Sequence, residues 1–453
     1  MFLAAVALLA AAVSAEAAEK ASSKAPKTSS EAPEGSKLKN HFKFYGFIRN
    51  YFAYDNRECE AGTGDLFMWY PKDQSLNALG EDMNRQDSFR FLTITSRVGV
   101  DVSGYTWGKT QFGAKVEADF YAGLTNGGGY AQLRLRQAYA TVKWDNLGAG
   151  GKGWISGKMG QAWHPMAADL PDIFSLDSGS PFNAFTRPPQ VTFDFGLDQN
   201  WYLSAAAIWQ MQYKSMGPDG AQATYQKYAL VPEFYLAANF KKGGFLGRVG
   251  VDILTIKPRH TASVDVEVEG ETVTTTRNVG DCLTAFSPYI YLQYTKGKFA
   301  VKGKSILGSA AEHMNLMSGY AVCDMSDEYN YQYTPIRTTT SWVSIAYGKK
   351  LKGALLLAYQ KNLGASKDVV CTDAGYADKN YIYFQKSAYN IAQMGRIQPE
   401  VTYNIGKFTL GLEYMLTAAQ WGDAAKLSSR AIPTENLHWV VDHRIQGMIK
   451  FTF

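Results

Sequence analysis

The chain has 453 residues, 46% of them hydrophobic and 14% aromatic, and a formal net charge of +5. A charge this small for the length, without a dense run of Lys or Arg, argues against a nucleic-acid-binding protein. Mean hydropathy is −0.23, and after the N-terminal segment no apolar run approaches the roughly 20 residues that a membrane-spanning helix needs.

Phe2 to Val13 (FLAAVALLAAAV) is apolar but too short to cross a bilayer. Val13-Ser14-Ala15 and Ala15-Glu16-Ala17 both fit small-residue cleavage rules, so residues 1–18 read as a secretory signal peptide. Residues 19–41 are rich in Ser, Lys, Ala and Pro and contain no Phe, Trp or Tyr. That composition predicts a disordered periplasmic linker.

From Phe42 the pattern becomes one of alternating faces. Predicted strands run Phe42–Tyr54, Leu92–Val102, Phe112–Phe120, Gln132–Trp144, Trp154–Trp163, Gln190–Phe195, Trp201–Gln210 and Leu230–Phe240. They continue with Arg248–Ile256, Phe286–Thr295, Phe299–Leu307, Ser341–Tyr347, Ala354–Lys361, Arg396–Ile405, Phe408–Thr417 and His438–Phe453. The last is the clearest. Trp439, Val441, Ile445, Ile449, Phe451 and Phe453 fall on one face, and Asp442, Arg444, Gln446, Lys450 and Thr452 on the other. A strand with this period shows one side to an apolar medium and the other to water. The 28 Tyr and 24 Phe suit strands and the aromatic girdles of membrane barrels.

The connections alternate in length. Long ones span residues 55–88, 121–131, 164–189, 211–229, 257–285, 308–340, 362–395 and 418–437. Between them lie short ones at 103–110, 145–153, 196–200, 241–247, 296–298, 348–353 and 406–407. About sixteen strands with short turns at one end and long loops at the other is the format of an outer-membrane barrel, the short turns being periplasmic. Hydrocarbon leaves unpaired backbone groups unsolvated at several kcal/mol each, so only a closed sheet survives there. The expectation is an all-β fold: a transmembrane antiparallel barrel over residues 42–453 with a lumen wider than side chains alone can fill.

Three spans carry a resemblance: Lys43–Tyr54 (KFYGFIRNYFAY), Ser96–Gly99 (SRVG) and Leu133–Trp144 (LRLRQAYATVKW). They look like the opening strands of Gram-negative porins, and the last is similar to the trimeric DcaP-like family. The resemblance implies a homotrimer in the outer membrane, in contact with lipid and lipopolysaccharide, inserted by the barrel-assembly machinery through the C-terminal strand. It implies passive diffusion of small hydrophilic solutes. That family often carries a periplasmic coiled coil, but residues 19–41 show no heptads, so no stalk is carried over.

In such porins the loop after the fifth strand folds inward and narrows the lumen. The matching segment is residues 164–189, which holds Asp169, Asp172 and Asp177. Arg49, Arg97, Arg134, Arg136 and Lys158 on the early strands would form the opposite wall. Opposed charges across a narrow passage set a transverse field, and a surplus of arginine favours anions. The plainer reading is that these arginines pair with Glu117 and Asp119 and stiffen the wall. Trp163, Phe174, Phe182 and Phe185 would form an aromatic track in a substrate-specific channel, or would pin the loop.

The remaining motifs point away from chemistry. Cys59, Cys282, Cys323 and Cys371 all fall in predicted long loops, where an oxidising compartment permits disulfides. Cys323–Cys371 with Cys59–Cys282 is the favoured pairing, and three pairings are open. Gly148–Gly153 (GAGGKG) matches a dinucleotide fingerprint but precedes a strand, so it reads as a turn. His438 and Asp442 share a strand face and read as a lumen hydrogen bond rather than the dyad of a barrel enzyme. Asp368, Asp373 and Asp378 could offer oxygen ligands to Ca²⁺, although their spacing matches no known calcium loop. No cofactor, metal or catalytic motif appears. A barrel enzyme or a structural barrel with a closed lumen stands as the rival to a porin.

Overall fold

The computed structural model describes residues 41–122, 131–148, 150–327 and 329–453. The predicted signal peptide, the predicted linker up to residue 40, and residues 123–130 of one predicted loop lie outside them.

Among the described residues, sixteen antiparallel spanning strands close on themselves. They are β1 (Phe42–Asp55), β2 (in two pieces, Ser88–Leu92 and Arg97–Trp107), β3 (Thr110–Ala122), β4 (Ala131–Leu147), β5 (Gly153–Gln161), β6 (Pro189–Gly196), β7 (Trp201–Ile208) and β8 (Glu233–Lys242). Then follow β9 (Phe245–Ile256), β10 (Leu283–Lys296), β11 (Phe299–Ser309), β12 (Gln332–Gly348), β13 (Leu351–Ala365), β14 (Ile391–Ile405), β15 (Phe408–Trp421) and β16 (His438–Thr452). Each neighbour in sequence is a neighbour in the sheet, and β1 pairs with β16 from Phe47↔Thr452 to Asp55↔Arg444. The seam therefore has no free edge, as a hydrocarbon environment requires.

Burial is inverted relative to a water-soluble protein. On β16 Trp439, Ile445 and Ile449 are 49%, 47% and 44% exposed, whereas Asp442, Arg444 and Gln446 are fully buried. The apolar face meets the bilayer and the polar face turns into the barrel. Inside, polar groups satisfy one another. Arg444 makes a bidentate pair with Asp55 across the closing seam, at 2.6 and 3.1 Å.

Short turns close one end. Gly297 and Gly406, at φ 63° and 58°, open two-residue hairpins between Lys296 and Phe299 and between Ile405 and Phe408. These left-handed positions suit residues without a Cβ. The opposite end carries the long loops with structure of their own. They include the hairpins Cys59–Gly62/Phe67–Pro71 and Thr261–Val268/Glu271–Asn278 and the helix Thr224–Ala229.

The second strand departs from the sequence expectation of one continuous run over Leu92–Val102. It breaks at residues 93–96, where Thr95 adopts φ 66°. Arg49 Nη2 donates to Thr95 Oγ1 at 2.6 Å, and the Thr95 N–H donates to Phe120 O at 2.7 Å, so the break is held from both sides.

Part of the lumen is filled. Phe67 and Trp69 from the first loop, Met166 and Phe182 from the loop at 164–189, and Met314 and Leu316 from the loop after β11 form one buried apolar cluster. Asn315 joins the three loops and a fourth segment. Its Oδ1 accepts from Trp69 Nε1 at 2.9 Å and Gln385 Nε2 at 2.8 Å, and its Nδ2 donates to Ser180 Oγ at 2.9 Å. Asn315→Ala orphans these buried partners. It is expected to lower the heat-modification midpoint by the equivalent of about 1–3 kcal/mol, and a shift on gel indistinguishable from that of an exposed Asn→Ala control would overturn the assignment.

Candidate functional site

The filling is one-sided, and the space left beside it is basic. A cavity of about 660 Å³ lies between the inward loop and the early strands, lined by Arg49, Arg97, Arg134 and Arg136 together with Trp163 and Tyr213. Alternation along β1, β2 and β4 puts these arginines on the lumen face. Arg134 grips Asp119 through two hydrogen bonds of 3.0 Å. Arg136 bridges Glu117 at 2.9 Å and Asp119 at 2.7 Å, and Arg97 lies 3.4 Å from Glu117. Among the described residues Arg49 has no carboxylate partner. Its guanidinium lies over the rings of Phe47 and Tyr51, at 5.0 and 4.8 Å from their centroids. Three guanidiniums thus share two carboxylates and Arg49 adds a fourth positive charge, so the pairs tie the wall together and leave a positive surplus.

Arg187, not singled out in the sequence, is buried behind the cavity-lining rings and does not itself line the cavity. It comes from the inward loop itself and lies over Trp163 and Phe185, at 4.6 and 5.1 Å from the ring centroids. Its Nη1 is buried without a hydrogen-bond partner. Burial first, and then the charges of Arg136 and Arg134, push its pKa well down from the ordinary arginine value. Tyr213 on the neighbouring loop is pushed up to about 12, chiefly by burial. A guanidinium keeps its proton in proteins, so Arg187 holds its positive charge over the two rings.

The expected acidic wall is a correction. Asp177 is fully buried and paired with Arg396 at 2.7 Å. Asp169 lies 3.2 Å from Arg248, and Asp172 lies 3.2 Å from Lys302 and 3.6 Å from Lys352. All three are neutralised by basic residues of the far wall, which bind the loop there. Lys304 Nζ reinforces this by donating to the carbonyls of Met166 and Asp169 at 2.7 and 2.8 Å and to Asn183 Oδ1 at 2.9 Å. Backbone and sequence order could not reveal these partners, which stand 79 to 219 positions away.

Other expectations divide. Lys158 lies beside Tyr139, 5.7 Å from its ring centroid, and does not line the cavity. Trp163 and Phe185 line it, whereas Phe182 is fully buried and Phe174 packs against the Tyr51 cluster. The two aromatic roles are therefore split between the four side chains. All four cysteines are free thiols, a correction to both disulfide pairings. Cys323 and Cys371 do stand on adjoining segments, since the Val370 N–H donates to Val322 O at 2.9 Å. His438 pairs with Asp73 Oδ1 at 2.6 Å and not with Asp442, whose carboxylate oxygens make no hydrogen bond. Gly148 and Gly151 close a turn between β4 and β5, with Gly151 N–H donating to Gly148 O at 3.2 Å.

No family model and no curated protein matches the sequence. Among solved structures, the outer membrane channel DcaP of Acinetobacter baumannii superposes with a TM-score of 0.61 at 15% identity, over 91% of this chain and 97% of that one. The fold is that of an outer-membrane channel. The similarity expected from the three sequence spans is thus met at the level of architecture. An anion-selective porin from Comamonas acidovorans is more distant, matching 91% of this chain and 99% of its own at 12% identity and a TM-score of 0.47. A closed sixteen-strand barrel with an apolar outer belt is a membrane barrel of the bacterial outer-membrane type.

Proposed function

We propose that this barrel is a passive outer-membrane porin for small hydrophilic solutes, with anions favoured. The observation that carries the reading is the cavity in which Arg49, Arg97, Arg134 and Arg136 face the lumen with, among the described residues, Glu117 and Asp119 as their carboxylate partners. A low-dielectric wall focuses this surplus onto the path beside the inward loop, which raises the local concentration of anions. Movement needs no chemical step. Pore width and wall charge set the rate, and the loop anchored by Asp169, Asp172 and Asp177 sets the width. Homotrimeric assembly belongs to this proposal through the resemblance to the DcaP-like family.

Planar-bilayer recording of the purified protein under a salt gradient tests it. Conductance steps in groups of three with a reversal potential on the anion side are expected. Cation preference would overturn the charge assignment, and no conductance from verified folded barrel would overturn the porin.

A second reading, a substrate-specific channel, is favoured by the aromatic rings of Trp163 and Phe185 that line the cavity, with the Arg187 guanidinium over them. Liposome swelling separates the two. A general porin passes sugars, simple anions and aromatic acids in order of size, and a specific channel passes one class far faster than its size predicts.

A further inference from the structure

Away from the basic cavity, where the inward loop leaves the wall, four titratable side chains meet in the interior. His164 opens the loop, Glu233 opens β8, Asp252 lies on β9, and His313 sits in the short turn after β11. All are at most 2% exposed. His164 Nε2 is 2.7 Å from Glu233 Oε1 and 3.5 Å from Asp252 Oδ1. His313 Nε2 is 3.3 Å from Glu233 Oε2 and 3.8 Å from Asp252 Oδ2.

Two details make this more than a polar network. The Met166 N–H donates to His164 Nδ1 at 3.1 Å, so that nitrogen carries the lone pair. His164 is then the neutral tautomer with its proton on Nε2, donating to Glu233, and brings no positive charge. His313, by contrast, has neither ring nitrogen in a directed hydrogen bond, and Asp252 Oδ1 is also unpartnered. Two buried carboxylates thus face at most one imidazolium, and an uncompensated charge in such a place is costly.

We propose that Glu233, Asp252 and His313 form a binding site for a divalent first-row transition ion of the zinc class, with His164 orienting Glu233. Ligand atoms around a tetrahedral ion with bonds near 2.0–2.1 Å stand about 3.4 Å apart. The 3.3 and 3.8 Å from His313 Nε2 to the two carboxylates bracket that spacing. An imidazole with carboxylates selects zinc-like ions over Ca²⁺ and Mg²⁺, which prefer oxygen alone. The hydrogen bond from His164 to the second oxygen of Glu233 is the kind of support that ligating carboxylates receive. The ion would join the inward loop and the loop after β11 to the β8–β9 wall.

The test uses full-length detergent-purified barrel, stripped with a chelator and dialysed against Co²⁺ or Zn²⁺ with excess Mg²⁺. One equivalent of metal per chain is expected, with the visible absorption of Co²⁺ in a low-symmetry nitrogen–oxygen site. H313Q and D252N, checked for folding by heat-modifiability, are expected to bind at least tenfold more weakly. The Co²⁺ spectrum requires no variant, so a variant that fails to fold leaves the proposal exposed. Wild type that takes up no metal in the presence of Mg²⁺, or binds it no better than the folded variants, would overturn the site and leave a proton shared between Glu233 and Asp252.

Discussion

Replacing Arg49 and Arg97 together by glutamate is expected to turn an anion-preferring conductance into a cation-preferring one. The cavity now has four guanidiniums, from Arg49, Arg97, Arg134 and Arg136, against the carboxylates of Glu117 and Asp119. The double substitution leaves two guanidiniums against four carboxylates, so the sign of the local field inverts. Both positions are half-buried rather than sealed in the wall; the Arg49–Thr95 bond is lost, but Glu117 keeps its 2.9 Å pair with Arg136 and the Thr95 N–H its bond to Phe120 O. The reversal potential under a salt gradient should change sign, while the Arg→Lys double variant keeps the original sign. Wall charges act over roughly a Debye length, about 3 Å at 1 M salt and 10 Å at 0.1 M. The difference between the variants should therefore shrink as salt rises. An unchanged reversal potential in the glutamate variant would place the solute path elsewhere in the barrel.

Arg396→Met is expected to loosen the inward loop and weaken the barrel together. Arg396 is fully buried, pairs with Asp177 at 2.7 Å, and donates to the carbonyls of Ser180 at 3.0 Å and Met68 at 3.2 Å. It thus holds the inward loop and the first loop from the β14 wall. Removing one partner of a buried pair costs about 3–5 kcal/mol, because the other is left charged and unpaired. The heat-modification midpoint should fall accordingly, and single-channel traces should show larger and noisier steps. Adding Asp177→Asn should recover part of the stability, since the orphaned charge is gone. It should not restore quiet steps, because the tether is still missing. A quiet, wild-type conductance in the single variant would show that Lys304 and the Asp172 pairs suffice to hold the loop.

The sixteen strands were legible because their signal is local. A period of two needs only neighbouring residues, and each predicted strand overlaps an observed one. Even the inversion of burial on β16 follows from the order of Trp439, Val440, Val441 and Asp442 once the outside is lipid. The break in β2 was not legible, since Thr95 at positive φ is stabilised by Arg49 and Phe120 from other strands. Nor was the fate of the aspartates. Asp177 and Arg396 are 219 positions apart, and nothing in the spacing of either says that they meet. Asn315 and His313 gave no signal for the same reason: each is a single polar residue in a long loop, with partners on three other segments for Asn315 and two for His313.

The order of residues by itself determined an all-β barrel: the number of its strands, which face of each meets lipid, and which ends carry long loops. Those properties depend on alternation and on turn length, and both are written within a few residues of one another. Tertiary structure alone decided how the lumen is divided. Loops folded inward to bury Phe67, Trp69, Phe182 and Met314 on one side, and the far-wall cations neutralised the aspartates there. The arginines of β1, β2 and β4 were left around the remaining space. Such contacts join residues distant in sequence, so the charge that a solute meets was set only when the loops closed over the wall.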